Sequence, residues 1–72
     1  MANKDWKIIT NERTELEFKN KKNNTIIRFE KTRDQYNRYY IWAFYINENE
    51  QVEYFKTKSE ALKYAKAYMT KN

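Results

Sequence analysis

Tyr39-Tyr40-Ile41-Trp42-Ala43-Phe44-Tyr45-Ile46 is the longest apolar stretch of the chain and the one that decides the fold. Eight residues cannot cross a bilayer as a helix, which takes about 20, and the aromatic and β-branched content favours a strand. A period of two puts Tyr40, Trp42, Phe44 and Ile46 on one face and Tyr39, Ile41, Ala43 and Tyr45 on the other. Both faces are apolar. The even set reads as core beneath a helix. One helix covers one face of a sheet, so the odd set calls for a second cover: the N-terminal hairpin curling over it, a second copy of the chain, or a target molecule.

Working outward, shorter runs of strand formers alternate with Asn-rich and charged segments. Trp6 to Thr10 places Trp6 and Ile8 together. Thr14 to Lys19 places Leu16 and Phe18 inward against Glu15, Glu17 and Lys19, and Thr25 to Thr32 places Ile27 and Phe29 inward against Arg28 and Glu30. Gln51 to Lys56 follows the aromatic strand after a short acidic turn. Only the last segment has a helical period: Ala61, Leu62, Ala65, Tyr68 and Met69 form one stripe, behind a Thr57-Lys58-Ser59-Glu60 capping box. The expected fold is α+β, a small antiparallel sheet of four to five strands packed against one C-terminal helix. Residues 1–72 form a single domain, with strands within 6–56 and the helix over about 58–71. Gly and Pro are absent, so Asn and Asp must supply any turn residue with positive φ. Asn11, residues 20–24, 34–37 and 47–49 stand where turns are needed, and no glycine-built phosphate loop is present.

The composition removes most chemistry. With neither Cys nor His among 72 residues, zinc fingers, haem attachment, thiol chemistry and Ser-His-Asp triads are excluded. Carboxylate pairs drawn from Glu15, Glu17, Glu30 and Glu53 lie at alternate strand positions on a polar face rather than in a sheltered cleft, where a general acid needs to be. The sequence therefore predicts no enzyme, no cofactor and no metal. Met1 to Trp6 lacks the apolar run of a secretory signal, so a cytoplasmic location without a membrane is the expectation.

Lys and Arg outnumber Asp and Glu by 15 to 10, for a net charge of +5. Residues 19–38 hold seven of the basic side chains and residues 56–72 five, whereas residues 39–55 carry only Glu48, Glu50 and Glu53. Basic residues interleaved with tyrosines suit a nucleic-acid surface, charges meeting phosphates and rings stacking or packing on sugars. The candidate contacts are Lys21, Lys22, Arg28, Lys31, Arg33, Arg38, Tyr39 and Tyr45. The same composition also serves solubility as a solvated rim. A protein interface on the odd face, through Tyr39, Ile41, Ala43 and Tyr45, is the alternative, since Tyr and Arg are enriched at binding hot spots.

The run Tyr54-Phe55-Lys56-Thr57-Lys58-Ser59-Glu60-Ala61, following two aromatic strands, resembles the strand-to-helix junction of the arm-type DNA-binding domains of phage and transposon integrases. Those domains resemble a three-stranded sheet backed by one C-terminal helix and insert the helix-free sheet face into the major groove. The likeness covers residues 25–70 in element order and Phe55 to Ala61 in sequence; Tyr54 replaces the usual glycine, and these 72 residues hold no recombinase region. It implies that Arg28, Glu30, Tyr39, Ile41 and Tyr45, with nearby Arg33 and Arg38, face DNA, while the loop lysines Lys21, Lys22 and Lys31 position the backbone. Ile41 and Ala43 are poor phosphate contacts and point instead to a protein. The small, Asn-, Lys- and Tyr-rich character is similar to accessory proteins of phages and mobile elements. Two functions are therefore expected. The first is a non-enzymatic nucleic-acid-binding domain, DNA before RNA. The second is an inhibitor or adaptor that binds a host protein, of the anti-CRISPR or anti-restriction kind, with a homodimer as a variant.

Overall fold

A computed structural model describes residues 5–33 and 39–71. Five strands, β1 (Trp6–Asn11), β2 (Glu15–Asn20), β3 (Ile26–Arg33), β4 (Tyr40–Ile46) and β5 (Asn49–Phe55), precede one helix, α1 (Lys58–Lys71). The sheet is an antiparallel meander in sequence order. Each expected strand is present, with β5 beginning two residues earlier than the acidic segment suggested, because only Asn47 and Glu48 form the turn. Both have positive φ, 49° and 72°, the signature of a two-residue hairpin turn matched to strand twist. Asn47 also fixes that turn against β3: its Oδ1 accepts from the Ile26 amide at 2.9 Å and its own amide donates to the Ile26 carbonyl at 2.8 Å.

The β2–β3 connection uses the same chemistry. Asn20, only 3% exposed, accepts the amides of Lys22 and Asn23 on its Oδ1 at 2.8 and 3.2 Å, and Asn24 takes φ of 63°. Asn24 thus stands where other turns use glycine, while the buried Asn20 side chain holds the turn's amides. The expected turn over residues 34–37 lies outside the described residues.

The core lies between the sheet and α1: Trp6, Leu16, Phe18, Ile27, Phe29, Trp42 and Phe44 from the strands, and Ala61, Ala65 and Met69 from the helix. Phe29 and Phe44, register partners on β3 and β4, stack at 4.8 Å. The alanines let α1 approach closely, and half-buried Tyr64 fills the space above Phe44 and Phe55, edge-on to the former at 5.3 Å and 5.0 Å from the latter. Tyr64 was not in the helical stripe read from the sequence, since a tyrosine beside alanines has no strong inward signal. Two expected core positions lie outside it: Ile8 is 47% exposed on an edge strand, and Tyr40 is 61% exposed at the start of β4.

The capping box forms with its return bond shifted by one residue, from Thr57 to Lys56. The Glu60 amide donates to Thr57 Oγ1 at 3.2 Å, and Glu60 Oε1 reaches back to the Lys56 amide at 3.1 Å. One cation anchors the helix start across the sheet, the Lys58 ammonium donating to Asn11 Oδ1 at 3.0 Å and the Glu12 carbonyl at 2.9 Å. Both sheet edges are irregular: β1 slips register between Ile8 and Thr10, and β5 slips opposite Phe44. Such bulges twist an edge out of the plane another strand would need.

Candidate functional site

Register sorts every strand side chain to one face. On the face away from α1, Lys7 lies beside Lys19, which lies beside Ile26; Glu17 beside Arg28, Tyr45 and then Glu50; and Glu15 beside Glu30, Ala43 and then Tyr54. Lys31 and Arg33, pairing with Trp42 and Tyr40, occupy the helix side instead. This separates the candidate contacts into three places. Lys21 and Lys22 lie in the β2–β3 turn at one end of the sheet. Arg28 and Tyr45 lie mid-sheet on the free face. Lys31 and Arg33 lie on the helix side at the opposite end, near exposed Tyr39. Lys31 is a strand residue and not the loop lysine expected. Arg38 lies outside the described residues.

Arg28 is the least available of them. Its guanidinium is 3.4 Å from Glu30, 3.7 Å from Glu48 and 3.9 Å from Glu15, with 17% of its side chain exposed, and it stacks over the Tyr45 ring at 4.3 Å. The pair expected to read DNA is therefore occupied internally. Cross-strand placement explains this: Glu15 and Glu30 are direct partners, a like-charge pair that is destabilising without a cation between them.

The odd-face set is likewise redistributed. Ala43 is 4% exposed, covered by its neighbours, so that face partly covers itself and Ala43 offers little contact. Ile41 and Tyr45 are half-buried, and Tyr39 is exposed ahead of β4. Tyr54, 63% exposed, was missed from the sequence; its placement beside Ala43 depends on the β4–β5 register.

By register the free face holds Lys7, Lys19 and Arg28 against Glu15, Glu17, Glu30 and Glu50, one more carboxylate than cations. In a chain of net +5 the positive surplus therefore lies elsewhere. On α1, Lys63, Lys66 and Lys71 are exposed; at 3.6 residues per turn Lys63 lies opposite the Ala61, Ala65 and Met69 seam, and Lys66 and Lys71 lie on its two flanks. Beside them Tyr64, Ala67, Tyr68 and Lys71 line a shallow depression. Burial, then the Glu53 carboxylate and Tyr68, push the Tyr64 phenol above its ordinary value. Among the described residues no acidic cluster is placed to hold a metal ion, and no helix is long and apolar enough to cross a membrane. The chain matches no protein-family model, no curated protein and no solved structure.

Proposed function

We propose that this chain is a non-enzymatic domain that binds nucleic acid, DNA first, and that it does so with the helix side of the molecule. The observation that carries this reading is the charge separation. The free sheet face, which the integrase resemblance would set against DNA, has a surplus of carboxylate, and its one arginine is already paired. Exposed Lys63, Lys66 and Lys71 follow one another along about 12 Å of helix axis. The only acidic residue on α1, Glu60, is occupied in the cap. Phosphate contacts of this type give affinity and steep salt dependence without sequence readout.

Titration of a labelled duplex between about 50 and 200 mM salt tests it. Wild-type protein is expected to lose affinity steeply. The variant with Lys63, Lys66 and Lys71 all changed to Ala is expected to bind more weakly, with a log-log slope shallower by up to about 3, near one per lost phosphate contact. An unchanged slope in that variant removes the helix side from consideration.

A second reading, a protein partner on the free face, is favoured by the apolar group Ile41, Tyr45 and Tyr54 beside buried Ala43. This is the host-protein inhibitor or homodimer alternative. Ile41→Glu is expected to abolish such a contact while leaving the duplex salt slope unchanged, since half-buried Ile41 lies across the sheet from the lysines. Sedimentation and the same titration read both effects. Loss of duplex binding by folded Ile41→Glu would assign nucleic acid to the free face after all.

A further inference from the structure

One tyrosine on the helix side has no role in the core. Tyr40 is 61% exposed at the start of β4, on the face that register gives to Lys31 and Arg33. Leaving aromatic area in water gives up the burial that such rings usually provide. Tyr40 lies among cations: the Lys31 ammonium is 5.1 Å from its ring centroid, and Arg33 is its direct partner across β3 and β4. Partners at that spacing have Cβ atoms about 5 Å apart, so a planar group on the Tyr40 ring lies within reach of both. Among the described residues neither Lys31 nor Arg33 forms an ion pair, in contrast to Arg28.

The other tyrosine rings do not share this setting. Tyr45 is half-buried beneath Arg28, whose guanidinium is already held by carboxylates. Tyr54 lies on the carboxylate-rich face, where a phosphate would be repelled. Tyr64 and Tyr68 lean on Phe44. An aromatic platform flanked by cations that form no ion pair among the described residues is what a stacked base with its phosphates requires.

We infer that the paired strand ends at Lys31, Arg33 and Tyr40 form a stacking site for an unpaired nucleobase, with Tyr40 as the platform and Lys31 and Arg33 as contacts for the adjoining phosphates. The preferred ligand is then a nucleic acid with a single-stranded tail, its duplex part lying along the lysines of α1. This rests on the helix-side reading above and adds a ligand class to it.

The experiment compares a blunt DNA duplex of about 12 base pairs with the same duplex bearing a four-nucleotide tail that contains 2-aminopurine, at one salt concentration. One stacked base is expected to make the tailed ligand bind roughly 10-fold more tightly, with 2-aminopurine fluorescence quenched on binding. Tyr40→Leu is expected to remove both the preference and the quenching while leaving blunt-duplex affinity unchanged, and Tyr40→Trp to restore them. Equal affinity for the two ligands, or a preference that persists in Tyr40→Leu, overturns the stacking site while leaving the lysine surface in place. Failure to bind either ligand overturns both.

Discussion

Phe44→Ala is expected to leave the domain mostly unfolded at 25 °C. Phe44 is 1% exposed and touches both layers, stacking on Phe29 at 4.8 Å and meeting Tyr64 and Tyr68 of α1 edge-on at 5.3 and 6.0 Å. Truncating a buried Phe costs about 3 to 5 kcal/mol, the lost transfer energy plus the cavity that remains. A 72-residue chain without cysteine to form a disulfide has only a few kcal/mol in total to lose, about 3 to 5 for a core of this size. The adjacent residue supplies the control. Tyr45 is half-buried on the opposite face, so Tyr45→Ala forfeits one cation–π contact and some packing, about 1 kcal/mol. Urea titration followed by tryptophan fluorescence reads both. Equal midpoints for the two variants would mean that the sheet has no distinct inner face, contradicting the register described above.

That contrast was legible in the sequence, since a strict period of two in residues 39–46 can be obeyed in only one way once a helix covers one face. The helix cap was equally legible, because a capping box is a local pattern whose partners here are three and four residues apart. The candidate site was not. Arg28 is surrounded by Glu15, Glu30 and Glu48, which come from β2, β3 and the β4–β5 turn, and their convergence depends on pairing between strands. Lys31 and Arg33 stand three and five residues from Arg28, odd separations that send them to the other side of the sheet. A count of charge along the chain treats all three as one basic cluster, whereas the pleat divides them. Ala43 misled for a related reason: between two large β4 residues it reads as exposed apolar surface, but Tyr54 and Glu30, its cross-strand neighbours, close over it. The Asn-built turns were predictable in kind, since positive φ must fall somewhere in a chain without glycine. Positive φ at Glu48 was not, because glutamate has no local preference for it.

The division of charge turns Arg28 from a candidate DNA contact into a stabiliser, and Arg28→Ala separates the two roles. As a phosphate contact, Arg28 would on removal lower duplex affinity and reduce the salt slope by about one, with stability nearly unchanged. As the cation held between Glu15 and Glu30, its loss leaves two carboxylates directly opposite each other across β2 and β3, with Glu48 nearby and the Tyr45 ring uncovered. Surface pairs are worth little, but the Arg28 side chain is only 17% exposed and serves three partners at once, so the expected cost is about 2 kcal/mol. Much of that cost is repulsion between partly exposed carboxylates, which salt screens: the Debye length falls from about 10 Å at 0.1 M to 3 Å at 1 M. Chemical denaturation of Arg28→Ala in urea is therefore expected to show a deficit that narrows by about half at 1 M NaCl, whereas duplex affinity measured at 25 °C on the folded fraction matches wild type. Arg28→Met, which keeps the apolar stem over Tyr45 without the charge, is expected to recover only the packing share, a few tenths of a kcal/mol. A salt-independent deficit would assign the effect to packing alone, and a reduced duplex salt slope in either variant would return Arg28 to the binding surface.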